Sequence, residues 1–297
     1  MTSMLPYIFA VYPLCLVVAV LVWLLRAKPQ NWLQCSMLAA VCGSIIAFAF
    51  LAGPWAFTSY YLRYVSLGLF ALAIIFICQR VKRHIAIDKD WSASRFALLA
   101  LVLLLFTILD ALCIAAYHQP GHSLNMSFPL TSGSYYILQG GNSVVTNPFH
   151  ALGGNSLAFD MVKLNKFGNR ADGIAPRTLN AYEIFGERLY SPCSGTALST
   201  RDGLLDNAPG RPDVQYPEGN YIVLNCGDSE VLLAHLKRGS IAVTVGEVVA
   251  AGQPIGNIGN SGNTLEPHLH ISATRGGTAI GLRFDERILS VNNVVTR

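Results

Sequence analysis

The sequence predicts four transmembrane helices followed by an antiparallel, all-β domain, and three observations predict it. The chain is 52% hydrophobic and only 13% charged, well under the roughly 25% charged of ordinary soluble domains. Four apolar runs, each close to the roughly 20 residues that a helix needs to cross a bilayer, precede residue 118. From residue 128 onward short β-like runs alternate with glycine-rich turns, the pattern of an antiparallel domain. A chain of 297 residues has room for both parts.

The spans are expected at residues 5–25, 32–52, 60–78 and 96–117. A cleavable signal peptide fits the first run poorly, because no Lys or Arg precedes it and another span follows almost at once. Arg26 and Lys28 follow the first run, and Arg80, Lys82, Arg83, Lys89 and Arg95 follow the third, whereas only Arg63 lies between the second and third. By the positive-inside rule the two basic links face the cytoplasm, so the N-terminus and everything after the fourth span lie outside. Trp55, Tyr60, Tyr61 and Tyr64 are expected as an aromatic belt at the outer surface. Asp110, inside the fourth run, is expected to pair with Arg63 or reach toward water, and is assigned no chemistry. The four helices anchor the chain in the lipid bilayer or, in addition, bind an unknown membrane partner; the sequence leaves both open.

Residues 118–127 read as a linker broken by Pro120 and Gly121. His118-Gln119-Pro120-Gly121-His122 has the histidine spacing of a zinc-protease helix, but Gln replaces the general base, and Pro and Gly deny the helix. The β domain is expected over 128–297, with strand-like runs at 135–138, 221–224, 230–236, 241–245, 248–250, 255–258 and 269–273. Gly259-Asn260-Ser261-Gly262 is no phosphate loop, because no Gly-Lys-Ser/Thr follows. Eight of the 21 Lys/Arg and three of the 17 Asp/Glu precede residue 143. The basic excess therefore belongs to the apolar half, and a nucleic-acid partner is not expected.

Five cysteines, Cys15, Cys35, Cys42, Cys78 and Cys113, sit in apolar runs and read as small buried hydrophobes. Cys193 and Cys226 could pair if the domain lies outside the cytoplasm, or one could serve as a nucleophile beside a histidine. No Cys-x-x-Cys or Cys/His spacing marks a structural zinc ribbon. Four of the seven histidines, His150, His235, His268 and His270, lie in the β half. In Pro267-His268-Leu269-His270 a strand turns both imidazoles to one face and Leu269 into the core.

Leu232-Leu233-Ala234-His235-Leu236, residues 246–262 and Pro267-His268-Leu269-His270, in this order and spacing, resemble the lysostaphin-type, LytM-like M23 zinc endopeptidases of bacterial cell walls. Ser191-Pro192-Cys193-Ser194-Gly195-Thr196 and Asn225-Cys226-Gly227 resemble membrane-associated members. The resemblance covers roughly residues 128–290. It implies the LytM/lysostaphin-like fold of duplicated-hybrid-motif type and one Zn2+ per chain, held by His150, Asp160 and His270. Two imidazoles and a carboxylate leave a catalytic zinc its fourth position for the water that serves as nucleophile. His235 and His268 are implied as the catalytic, non-ligand histidines that accept and return protons or stabilise the oxyanion. The cysteine pair is implied to be a disulfide.

One departure from the family pattern concerns the first ligand. The common motif is His-x3-Asp, yet Ser stands at position 156 and His150 is followed by an acidic residue only at Asp160. The intervening 151–155 segment is expected as a loop that must fold back. Taken with the loop charges, the resemblance implies a multi-pass protein of the bacterial cytoplasmic membrane whose catalytic domain, outside, hydrolyses peptidoglycan stem or cross-link peptides. The alternatives are a non-catalytic wall-binding or regulatory LytM-like domain, or a peptidase acting on a secreted or membrane protein.

Overall fold

The structure, a computed structural model, describes residues 4–83, 92–118, 121–153 and 157–297. The basic residue Lys89, positions 119 and 120 of the decoy histidine motif, and Ser156 fall outside the described residues. Four apolar helices come first: α1 (Leu5–Arg26), α2 (Trp32–Ala52), α3 (Leu62–Arg83) and α4 (Ala93–Ala115). All four are long and apolar enough to cross a membrane. Asn31 and Ser92 cap α2 and α4 by accepting from backbone N–H groups three residues on.

Among the described residues a short fifth helix, α5 (Pro148–Gly153), lies among thirteen strands. The strands are β1 (Ser123–Met126), β2 (Ser134–Gln139), β3 (Phe159–Leu164), β4 (Arg188–Tyr190), β5 (Gly195–Arg201), β6 (Asn220–Cys226) and β7 (Ser229–Leu236). They continue with β8 (Val248–Val249), β9 (Pro254–Asn257), β10 (Leu269–Arg275), β11 (Thr278–Ala279), β12 (Gly281–Phe284) and β13 (Val294–Thr296). The main sheet runs β13-β2-β3-β10-β7-β6-β5-β8, antiparallel throughout, with β11 beside β10. Its inner face packs Ile137, Phe159, Met161, Leu224, Leu233, Leu269 and Ile271 into one core. The architecture is thus four apolar helices followed by an antiparallel β domain, as the sequence predicts.

Several local expectations are corrected. Residues 123–126 of the expected linker form β1, which pairs in parallel with β12; backbone pairing outweighs the breakers at its start. Residues 241–245 join no ladder, although Val243 is buried and Ala242 N donates to Ile255 O at 3.0 Å. Trp55 is no lipid-facing belt residue: it is buried in a 3-10 turn, Trp55–Phe57, with its indole donating to Ala49 O at 2.8 Å. Asp110 accepts from Ser44 Oγ at 2.9 Å rather than meeting Arg63, because Arg63 is drawn to Asn292 O at 2.8 Å and lies over the Phe50 ring.

That Arg63 contact is one of several that seat the β domain on the helix ends. Tyr60 N donates to Gly168 O at 2.9 Å and Arg170 N to Ala56 O at 3.1 Å. Gly168 has φ +79°, and a Cβ there would lie 2.9 Å from Tyr60 N, so the backbones meet only because it is glycine. Asn292 Nδ2 donates to Leu51 O at 2.9 Å, and Ala56, Tyr136, Val162 and Leu164 bury together.

At the far end of the sheet Cys193 and Cys226 form a disulfide across 33 residues. It closes a loop containing β5 and most of β6, so replacing both cysteines by serine is expected to cost about 2–4 kcal/mol of domain stability, read as an earlier thermal transition under non-reducing conditions. Alkylation by iodoacetamide should leave activity intact, since neither sulfur is free.

Candidate metal centre and proton-transfer site

The sheet register builds most of the site. In β10, His270 stands opposite Asp160 of β3 on one side and Ala234 of β7 on the other. Directly opposed residues share a face at roughly 5 Å between Cβ atoms. His270 Nδ1 and Asp160 Oδ1 accordingly lie 3.0 Å apart.

His235 needs a departure from regular structure. Strict alternation after Val231 and Leu233 would send it into the core. Between the Leu233 and Leu236 pairings, however, β7 uses one residue more than β6, a β-bulge. His235 takes φ +63° there, Leu236 becomes the next core residue, and the imidazole comes to the His270 face. Its ring centroid lies 4.7 Å from that of His268 and 5.7 Å from that of His270. The turn that receives it is equally tight: Gly219 has φ +63°, and any Cβ there would collide with the Ser261 carbonyl.

His150 arrives from α5, where a loop is expected from the sequence. Asn147 precedes Pro148 at the first helical position, a strong helix start. Asn147 Nδ2 donates to Ala158 O at 2.9 Å, which fixes the amide and turns Oδ1 toward His150 Nδ1 at 2.7 Å. Since that oxygen only accepts, Nδ1 carries the proton and Nε2 presents a lone pair. His150 Nε2 lies 3.3 Å from Asp160 Oδ1. The same reasoning applies to His235, whose Nδ1 donates to Ser261 O at 2.9 Å, and to His268, whose Nδ1 donates to Glu266 O at 2.8 Å. Both therefore turn Nε2 toward the cluster, that of His268 lying 3.4 Å from Asp160 Oδ1.

Among the described residues, His150, Asp160 and His270 are grouped so that one ligand atom of each lies within 4.8 Å of the others. Bonds of about 2.0–2.1 Å in a tetrahedron set donors roughly 3.3 Å apart. The 3.3 Å and 3.0 Å separations from Asp160 Oδ1 fit that geometry, and two imidazoles with a carboxylate fit the donor set of catalytic zinc. Gln139 Nε2 holds the other carboxylate oxygen at 3.3 Å.

Burial and mutual charge set the protonation. Burial alone would raise the Asp160 pKa, yet His268 and His150 hold it well below the usual carboxylate range. Burial, and then His268 and His270, push His235 well below the ordinary imidazole value. Burial also lowers His270 against the pull of Asp160, whereas at His268 Asp160 outweighs burial and raises it.

Sequence reasoning did not find the supporting residues Asn147 and Gln139, nor Thr264, whose Oγ1 lies 3.1 Å from His268 Nδ1, nor the buried Arg170–Glu266 pair. Arg170 Nε and Nη2 donate to the two Glu266 oxygens, both at 2.6 Å, and the Glu266 carbonyl holds His268. The Asn147-Pro148 dipeptide is the one local signal that could have flagged α5.

Residues 186–281 match the model of peptidase family M23, a stretch that contains His235, His268 and His270 but neither His150 nor Asp160. No curated protein matches the chain. Among solved structures, a zinc-containing peptidase from Vibrio cholerae is similar at 21% identity and TM-score 0.34, over 53% of this chain and 39% of that one. The chain thus spans about two fifths of that protein's length. The catalytic domain of lysostaphin from Staphylococcus simulans is similar at 25% identity and TM-score 0.26, over 36% of this chain and 81% of that one.

Proposed function

We propose that the chain, whose residues 186–281 match the model of peptidase family M23, is a membrane-anchored, zinc-dependent endopeptidase that hydrolyses peptide bonds of bacterial cell-wall peptidoglycan outside the cytoplasmic membrane. The observation that carries it is the grouping of His150, Asp160 and His270 with two further imidazoles, His268 with Nε2 3.4 Å from Asp160 Oδ1 and His235 with its ring 5.7 Å from that of His270. His150, Asp160 and His270 would hold the ion. Bound there, zinc supplies Lewis-acid chemistry that polarises a scissile carbonyl and acidifies water. His235 and His268 share the remaining work: one Nε2 accepts a proton from the attacking water, and an imidazolium stabilises the oxyanion or protonates the leaving amine. Their Nδ1 bonds to Ser261 O and Glu266 O lock the tautomer that this requires.

The basic residues Arg26, Lys28 and Arg80 at the other ends of the helices support an outward-facing domain, where wall peptides are within reach. Digestion of purified cell walls by the full chain should release new amino groups, a zinc chelator should stop it, and iodoacetamide should not. Walls left intact by zinc-loaded protein would overturn the assignment of substrate.

Asn147 gives a finer test. Asn147→Ala removes the acceptor that fixes the His150 ring, and is expected to weaken zinc binding roughly 10–100-fold. Competition with a chromogenic chelator would measure it; unchanged affinity would remove His150 from the ligand set.

A further inference from the structure

The cleft that contains the histidines, about 570 Å³ in volume, is lined not only by the β domain but also by Leu5, Phe9 and Tyr12 of α1 and by Phe57 of the turn after α2. The two parts touch: the Phe9 ring lies 6.3 Å from that of Phe149, the residue before His150, and 5.3 Å from that of Phe57. From Leu5 to Tyr12 the helix descends roughly 10 Å, so the cleft runs from the proton-transfer groups down along a span. One part of its lining is hydrogen-bonding and ionisable, and the other is aliphatic and aromatic. A ligand that complements both is amphiphilic, with a peptide at the histidines and an apolar group at α1.

The apolar part of the lining is a narrow strip, Leu5, Phe9 and Tyr12 along α1 with Phe57 beside it, and a flexible hydrocarbon chain can follow such a strip while its head group stays at the histidines. Resting on the reading of this cleft as a peptidase site, we infer that it takes its peptide in a lipid-carried form, the hydrocarbon lying against Leu5, Phe9 and Tyr12 while the peptide lies at His235 and His268. The helices are then part of the substrate site as well as an anchor, and lipid-carried peptides are substrates alongside those of finished wall.

Photocrosslinking tests this without cleavage. The full chain carrying Phe9→p-benzoylphenylalanine is placed in phosphatidylglycerol/phosphatidylethanolamine vesicles with chelator present. It is irradiated with a biotinylated alanine-glycine octapeptide bearing an N-terminal palmitoyl chain. The same substitution at Val11, which is 51% exposed and on another face of α1, gives the background for probe that is merely dissolved in the bilayer. Labelling at position 9 should exceed that at position 11 about tenfold, and the unacylated octapeptide should stay at background.

Equal labelling at the two positions overturns the inference. So does labelling by the unacylated peptide as strong as by the palmitoylated one, or preferential labelling by the octapeptide fused to a transmembrane helix. Leu5→p-benzoylphenylalanine, at the cleft rim, provides the same reading if the Phe9 variant melts early. With the chelator present, a failure to label is independent of whether the zinc-loaded chain digests walls, so the two readings fail separately.

Discussion

His270→Ala and Asp160→Ala are each expected to abolish stoichiometric zinc and peptide cleavage together. Each residue is central: His270 lies between β3 and β7, and Asp160 Oδ1 is within 3.4 Å of three imidazole nitrogens. Losing a direct ligand should cost more than the roughly 10–100-fold that a supporting hydrogen-bond partner is worth. Asp160→Ala also leaves the clustered imidazoles facing one another without the carboxylate, so this variant should lose metal at least as completely. Zinc content by atomic absorption and release of amino groups from cell walls, on the same full-length preparations, make the measurement. Full activity in a variant without metal would sink the zinc mechanism.

The largest expected stability effect is at Arg170. Its side chain is 1% exposed, bonds Glu266 through two nitrogens and stacks over the Phe57 ring at 3.5 Å. Arg170→Met leaves the Glu266 carboxylate buried and uncompensated, which is expected to cost about 3–5 kcal/mol. The double variant Arg170→Met/Glu266→Met should recover much of that loss, since a buried ion pair and a packed apolar pair are often near equal. Thermal melting of the full chain in detergent would check both. A single variant that melts like the native chain would show that the pair contributes little.

Parts of this architecture could be read locally, and parts could not. The four apolar runs announce themselves by length alone, and Leu269 between two histidines announces a strand with a core face. What escapes local reading is set by registry and by distance in the chain. His150 reaches Asp160 because α5 is held by an asparagine that bonds Ala158, a contact absent from any His-x3-Asp spacing. His235 reaches the cluster through an extra residue in β7, and period-2 reasoning would bury it. Arg170 and Glu266 are 96 residues apart, and nothing in the periodicity around either one points to the other. The apposition of Phe9 to Phe149 joins a span to a domain that the sequence treats as separate units.

The positive φ of His235 has a consequence for how this chain can vary. Glycine or asparagine would occupy that backbone conformation more comfortably, whereas a β-branched residue would be strained by roughly 1–3 kcal/mol. At this one position of an otherwise regular strand, the residue that folds best and the residue that can carry a proton are different amino acids. Under the proposed mechanism, selection for folding alone would drift toward glycine there and remove the proton carrier while leaving an intact sheet around the cleft.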